Sequence, residues 1–148
     1  MTGAVRIRPA AEGDLAAVLA LLAQLHPERP GMPSVVDARS VWDDVLAQSD
    51  RTVFVAEVDG VVVATADLLV VRNLTHDARP WSIVENVVVD APARGTGVGR
   101  SLMDAVVQAA RAAGAYKVQL LSADGREAHA FYEAIGFEPR ARGFRTYL

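Results

Sequence analysis

The sequence predicts a mixed α/β (α+β) domain: a central mixed sheet of about seven strands flanked by about four helices. Three observations predict it. First, Thr52 to Val58 and Val61 to Val71 are aromatic and β-branched runs joined by Asp59-Gly60, the strongest short-range hairpin signal. Second, the strand Trp81 to Val89 leads through a glycine-rich loop into a helical pattern and then into another strand. That order calls for a right-handed crossover and parallel pairing. Third, two helical patterns precede most of the sheet. An antiparallel meander joined to a parallel unit in one chain gives a mixed sheet.

The elements follow in order. Val5-Arg6-Ile7-Arg8 alternates apolar and polar residues, a short strand that Pro9 ends. Asp14 can cap a helix whose core-facing stripe is Leu15, Val18, Leu19, Leu22 and Leu25. Pro27, Pro30, Gly31 and Pro33 break that helix into a loop. Ser34 can cap a second helix reaching about Gln48, with Val41, Trp42, Val45 and Leu46 on its apolar side. After the hairpin, residues 72–80 form a polar loop of the kind that commonly carries recognition. The helix beyond the glycine loop carries Val98, Leu102, Val106 and Ala109, widened by Met103 and Val107, and Gly114 ends it. Tyr116 to Leu121 is a fifth strand, and Ala128, Phe131, Tyr132 and Ile135 mark a last helix closed by Gly136. Phe137 to Arg140 and Phe144 to Leu148 complete the predicted seven strands.

Composition narrows the function. A chain of 148 residues fits a single domain with a substantial core, and no repeat or linker divides residues 1–148. A net charge of -3 without a basic stripe gives no support for nucleic acid as partner. The absence of cysteine excludes disulfides, thiolate zinc sites and a cysteine nucleophile, and no spacing supports a metal site. The start lacks the apolar segment of a signal peptide, and no run approaches membrane length. These features predict a cytoplasmic protein without a membrane partner. The high Ala, Arg and Val content suggests a bacterial genome.

The chemistry centres on Val87-Val88-Val89-Asp90-Ala91-Pro92-Ala93-Arg94-Gly95-Thr96-Gly97-Val98-Gly99-Arg100. The valines read as a buried strand, which Pro92 stops because it has no N–H for a ladder. Glycines let the backbone approach a ligand closely, and the following helix offers unpaired N–H groups at its positive end. Together they make an anion site suited to phosphates. The dinucleotide fingerprint and the P-loop both fail on spacing, since Arg100 stands where a P-loop lysine belongs. The plainer reading is a glycine-rich turn that only joins a strand to a helix.

Arg94, Gly97 and Gly99 fit Arg/Gln-x-x-Gly-x-Gly, which after Val-Val-Val-Asp-x-Pro resembles the acetyl-CoA loop of the GNAT family of N-acetyltransferases. About thirty residues on, Ala128 to Phe137 resembles that family's Ala-x-x-Phe/Leu-Tyr-Glu-x-x-Gly-Phe motif. The resemblance extends over essentially the whole chain and implies the GNAT fold. It also implies direct acetyl transfer from acetyl-CoA to a primary amine of a small molecule, peptide or protein. One departure stands out: Gly125 occupies a position where the family often has an asparagine that contacts coenzyme A.

The resemblance assigns the backbone of Val87, Val88 and Val89 to the pantetheine arm and the amides of Gly95, Thr96, Gly97, Val98, Gly99 and Arg100 to the pyrophosphate. Arg94 and Arg100 can add charge there, although such arginines are also often plain surface residues. Ser101 reads as a cap of the following helix. Glu85 shares strand parity with Val87 and Val89 in an otherwise apolar strand, a setting expected to raise a carboxyl pKa toward that of a useful base. The alternative is a strand-margin carboxylate paired with Arg72 or Arg79. Asn86 falls on the opposite face. Tyr132 is the candidate general acid for the thiolate, with simple core packing as the alternative. Asn73, His76 and Trp81 are candidates for the acceptor site. His26 reads as a cation at a helix end and His129 as solvent-facing. Family members are often dimeric, so a homodimer is an expectation of the resemblance alone. The reading from another class is a non-catalytic acyl-CoA-binding sensor.

Overall fold

The computed structural model describes residues 3–25, 27, 31–122 and 126–148, with the side chains of Arg126 and Glu127 left aside. The elements are β1 (Arg6–Pro9), α1 (Leu15–Leu22), α2 (Val35–Ala47), β2 (Arg51–Val58), β3 (Val61–Val71), the single turn α3 (Thr75–Ala78), β4 (Trp81–Val89), α4 (Val98–Ala112), β5 (Val118–Leu120) and α5 (Arg126–Ala134). The sheet order is β1-β2-β3-β4-β5. The first four strands are mutually antiparallel, and β5 runs parallel to β4.

Local chemistry explains most boundaries. Asp59 (φ 51°) and Gly60 (φ 81°) are both left-handed, as a hairpin turn matching strand twist requires. Ser34 caps α2 by accepting a hydrogen bond from the Asp37 N–H at 3.2 Å. Asp14 does not cap α1 with its side chain. Its carboxylate instead accepts from the Ala11 N–H at 2.7 Å and pairs with Arg8, which also bonds Glu57 on β2. Ser101 does not cap α4 either; Gly97 holds that position, and the Ser101 N–H donates to its carbonyl.

Two apolar clusters lie on opposite faces of the sheet. Under α4, the buried set includes Phe54, Ala64, Ala66, Leu68, Val84, Leu102, Met103 and Val106, with Phe131, Tyr132 and Ile135 packed against it. Under α1 and α2, it is Leu15, Val18, Ala38, Trp42, Val53 and Val55. Val41 was expected on the apolar side of α2, but it lies near the rim of that face and is 61% exposed. Leu25 falls beyond the end of α1.

Among the described residues the sheet has five strands, not seven. Residues 137–148 form no strand, and Phe144, Tyr147 and Leu148 are exposed. Pro139 and the Arg140-Ala141-Arg142-Gly143 run supply no alternating apolar face to bury, and an unpaired segment has no ladder to join.

Candidate active site

The site begins at an irregularity in β4. Asp67 pairs with Glu85 and Thr65 with Val88, so two steps along β3 match three along β4. The extra residue is a β-bulge, and Asn86 sits in it with a left-handed φ of 54°. The bulge inverts alternation. Val87 and Val89 pack toward the α4 cluster, whereas Glu85 and Val88 lie opposite Asp67 and Thr65. The parity expected from unbroken alternation, Glu85 with Val87 and Val89, is therefore incorrect. So is the placement of Asn86 away from Glu85's side, since Asn86 and Asp67 line one cavity.

Beside the bulge the sheet opens. β4 pairs with β5 only from Ser82 to Val84, so the edge of Glu85–Val89 facing away from β3 has no strand partner among the described residues. At the end of that edge the chain turns through Ala91–Ala93 into the glycine loop. Among the described residues, none of the backbone N–H groups of Gly95 through Arg100 donates to a protein acceptor. Gly95 (φ 76°) and Gly97 (φ 91°) are left-handed, and a Cβ at either would meet nothing within 4 Å. Gly99 serves differently: a Cβ there would lie 3.3 Å from both Phe131 and Val89, so its absence lets α4 start close against β4 and α5. Six free amides at a helix start, with open space before them, fit a diphosphate.

The arginines of this loop are engaged with protein carbonyls. Arg94 Nε donates to Val89 O at 3.0 Å, and Arg100 donates to Ala134 O at 2.9 Å, tying α4 to the end of α5. Thr96 Oγ1 donates to Ala93 O at 2.6 Å, closing the turn.

Glu85 is exposed, contrary to the buried setting expected of it, because the unpaired edge leaves its side chain uncovered. Arg79 does not pair with it; that guanidinium reaches the carbonyls of Gly114 and Ala115. Burial, and after it the charge of Glu85, raise the Tyr132 phenol above its ordinary 10.0. The structure thus brings Glu85 and Tyr132 within electrostatic reach across the opening. Arg145 of the tail also faces this region: its hydrogen bond to Tyr147 contributes most to its raised pKa, and Glu85 adds to it.

The loop residues lie at the opposite end of β4. Asn73 donates to Thr75 O, Thr75 Oγ1 and Arg79 O, which holds the loop closed. His76, Asp77 and Ala78 are three successive left-handed residues, and the His76 ring stacks on Tyr116 at 3.9 Å. Lys117 Nζ stands 5.9 Å from the Trp81 ring. His129 is exposed, as its helix position predicts. His26 and Gly125 lie outside the described residues.

One feature was not found by sequence reasoning. A cavity of about 310 Å³ opens between α1, α2 and the sheet, bordered by Asn86. Its floor holds Asp67, which is 3% exposed and bound by the Arg51 guanidinium. In its wall, Trp42 Nε1 is buried without a hydrogen-bond partner among the described residues. Only the alternation of Asp67 into an apolar strand hinted at it. Among the described residues no group of His, Cys, Asp or Glu could hold a metal ion, and no helix is long and apolar enough to cross a membrane.

A family model described as the Acetyltransferase (GNAT) family matches residues 16–137. The chain is 32% identical over 144 residues to a glucosamine 6-phosphate N-acetyltransferase of Trypanosoma brucei brucei, covering 97% of this chain and 96% of the relative. It is 36% identical over 138 residues to glucosamine 6-phosphate N-acetyltransferase 1 of Oryza sativa subsp. japonica, covering 90% and 81%. A solved chain from Agrobacterium tumefaciens str. C58, whose acetyltransferase name is assigned rather than demonstrated, superimposes with a TM-score of 0.91 at 41% identity, covering 97% and 99%.

Proposed function

Because the chain belongs to the GNAT family of acetyltransferases, an acetyl-CoA-dependent N-acetyltransferase, we propose that Glu85 and Tyr132 carry its proton transfers and that its acceptor is a small-molecule primary amine. The observation that carries this reading is the run of six unpaired amides, Gly95 to Arg100, continuing the unpaired edge of β4. Pyrophosphate on the amides and pantetheine along Val87, Val88 and Val89, as an added strand would lie, set the thioester beside Glu85. Arg94 would release Val89 O to that arm and turn its charge to the phosphates.

In the reaction, the neutral amine nitrogen attacks the thioester carbonyl carbon. The N–C bond forms, the C–S bond breaks, and the products are an amide and a thiol. Glu85 takes the proton that nitrogen loses, directly or through water. Tyr132, kept protonated by its raised pKa, gives its proton to the sulfur. The pair is restored when the Glu85 proton reaches the Tyr132 oxygen through water. Asn73, His76 and Trp81 belong to this reading as the outer rim of the acceptor site. A homodimer belongs to it too, with the exposed Phe144, Tyr147 and Leu148 as surface for a second copy, as do a bacterial origin and a cytoplasmic location.

Free-thiol release from acetyl-CoA across a panel of primary amines tests the function. Turnover with at least one small amine supports it, and acetylation of protein lysines alone would replace the acceptor class. The relatives' named substrate, glucosamine 6-phosphate, belongs in that panel.

A further inference from the structure

We propose that Gln24 is a positioning residue for the cofactor: in the free enzyme it clasps Arg94 onto the Val89 carbonyl, and acetyl-CoA opens this clasp as it binds, so that the chain at the end of α1 responds to the cofactor. The proposal rests on the reading that pantetheine lies along Val87, Val88 and Val89. Three observations carry it. The first is the direction in which Val89 faces. The Asp90 N–H donates to Val63 O at 2.8 Å, so Asp90 turns its main-chain groups toward β3. In an antiparallel ladder the neighbouring residue turns them the other way, which makes the Val89 carbonyl the last acceptor of β4 on its open edge. An added strand would bond there. In the free enzyme Arg94 Nε already donates to that oxygen at 3.0 Å.

The second observation is what holds Arg94. Gln24 lies just past α1, its backbone N–H donating to Leu21 O. Its carboxamide meets both ends of the turn between β4 and the glycine loop: Nε2 donates to Asp90 Oδ1 at 2.8 Å, and Oε1 accepts from Arg94 Nη2 at 3.5 Å. A carboxamide does both at once, whereas a carboxylate would only accept and a leucine would do neither. The third is charge. Val89 O and Gln24 Oε1, which hold the guanidinium, are both neutral. A diphosphate on the neighbouring amides offers it a charged acceptor, roughly twice as strong, while Gln24 keeps its charge-assisted bond to Asp90. The exchange uncovers Val89 O for a pantetheine N–H. Leu22, two residues before Gln24, lines the cavity under α1 and α2, so the clasp ties the cofactor loop to the wall of that cavity.

The test measures coenzyme A affinity by calorimetry and amide hydrogen exchange over residues 19–25. Gln24→Leu, which lets go of Arg94, should bind coenzyme A about two- to tenfold more tightly, the range of one net hydrogen bond. Gln24→Glu, which grips Arg94 harder, should bind it more weakly by a similar factor. A plain tether between α1 and β4 would not give opposite signs. In an Arg94→Met background the Gln24→Leu effect should vanish, because the clasp has then lost its other half. In the wild type, coenzyme A should speed exchange of the Ala23, Gln24 and Leu25 amides several-fold; in Gln24→Leu it should not. Unchanged affinity in Gln24→Leu, or the same gain with Arg94→Met, would overturn the clasp, as would exchange over residues 19–25 that ignores bound coenzyme A. Absence of any binding to the wild type would instead remove the cofactor reading, and the clasp with it.

Discussion

On the face of the sheet under α4, Leu102, Met103 and Val106 fill the space against Ala64, Ala66 and Val84 with at most 2% exposure. On the face under α1 and α2, Leu15, Val18 and Trp42 enclose a cavity whose floor is an Arg51–Asp67 ion pair. The first face presents the loop amides and the β4 edge, which are main-chain groups. The second presents side chains brought from α1, α2, β2, β3 and the bulge. A ligand read by backbone needs a rigid support, and dense packing supplies it. A ligand read by side chains needs a space shaped for it, and packing must be given up there.

The sharpest way to break this contrast is Gly97→Asp. It forces a side chain into a left-handed position and puts a carboxylate before the amides, so acetyl-CoA affinity should fall by at least about 100-fold in calorimetry, with the fold intact by circular dichroism. Retained binding would move the cofactor elsewhere. Next, Glu85→Gln should lower kcat by about 100-fold at neutral pH without changing acetyl-CoA affinity, the usual scale for a lost general base. Tyr132→Phe should also lower kcat, and because the phenol's pKa is raised, the wild type should show no loss of its acid function below pH 10. An unchanged rate in either variant would return that residue to a structural role.

Smaller effects sharpen the difference in packing. Leu102→Ala, in the filled face, should cost about 3–5 kcal/mol by urea unfolding, whereas Leu22→Ala beside the cavity should cost less, near 2 kcal/mol, because the added space joins one already there. Equal costs would contradict the contrast. The smallest effect concerns Asp14, whose pKa is lowered from 3.8 first by its hydrogen bond to Arg8. A lowered carboxyl contributes stability above its unfolded pKa and loses it as pH falls through the folded value. Asp14→Asn should therefore cost under about 1 kcal/mol at pH 7 and progressively less below pH 4, measured by urea midpoints across that range.

The legible parts of the sequence are those where function is local. The hairpin at Asp59-Gly60, the stop at Pro92, the glycine loop and the Phe131-Tyr132 helix each lie within a few consecutive residues, so backbone chemistry and period suffice to read them. The glycine loop and the helix it opens are nearly all of this kind. The cavity under α1 and α2 is not. Trp42, Arg51, Asp67 and Asn86 come together only after α2, the hairpin and the bulge have formed, and each alone resembles an ordinary helix or strand residue. The tail misled for a related reason: Phe137 and Phe144 carry strand-forming side chains, but pairing needs an edge as well as propensity, and β5 is three residues long.

The bulge at Asn86 has one more consequence. Removing that single residue would leave both recognisable motifs spelled as they are, and a comparison of motifs would accept the shortened chain as an intact enzyme. Yet Val87 would then stand opposite Ala66 in an unbroken ladder, so the valines would keep their sides and the core beneath α4 would survive, while the kink in β4 and the carboxamide at the border of the cavity would both be gone, with nothing in the conspicuous letters to announce it.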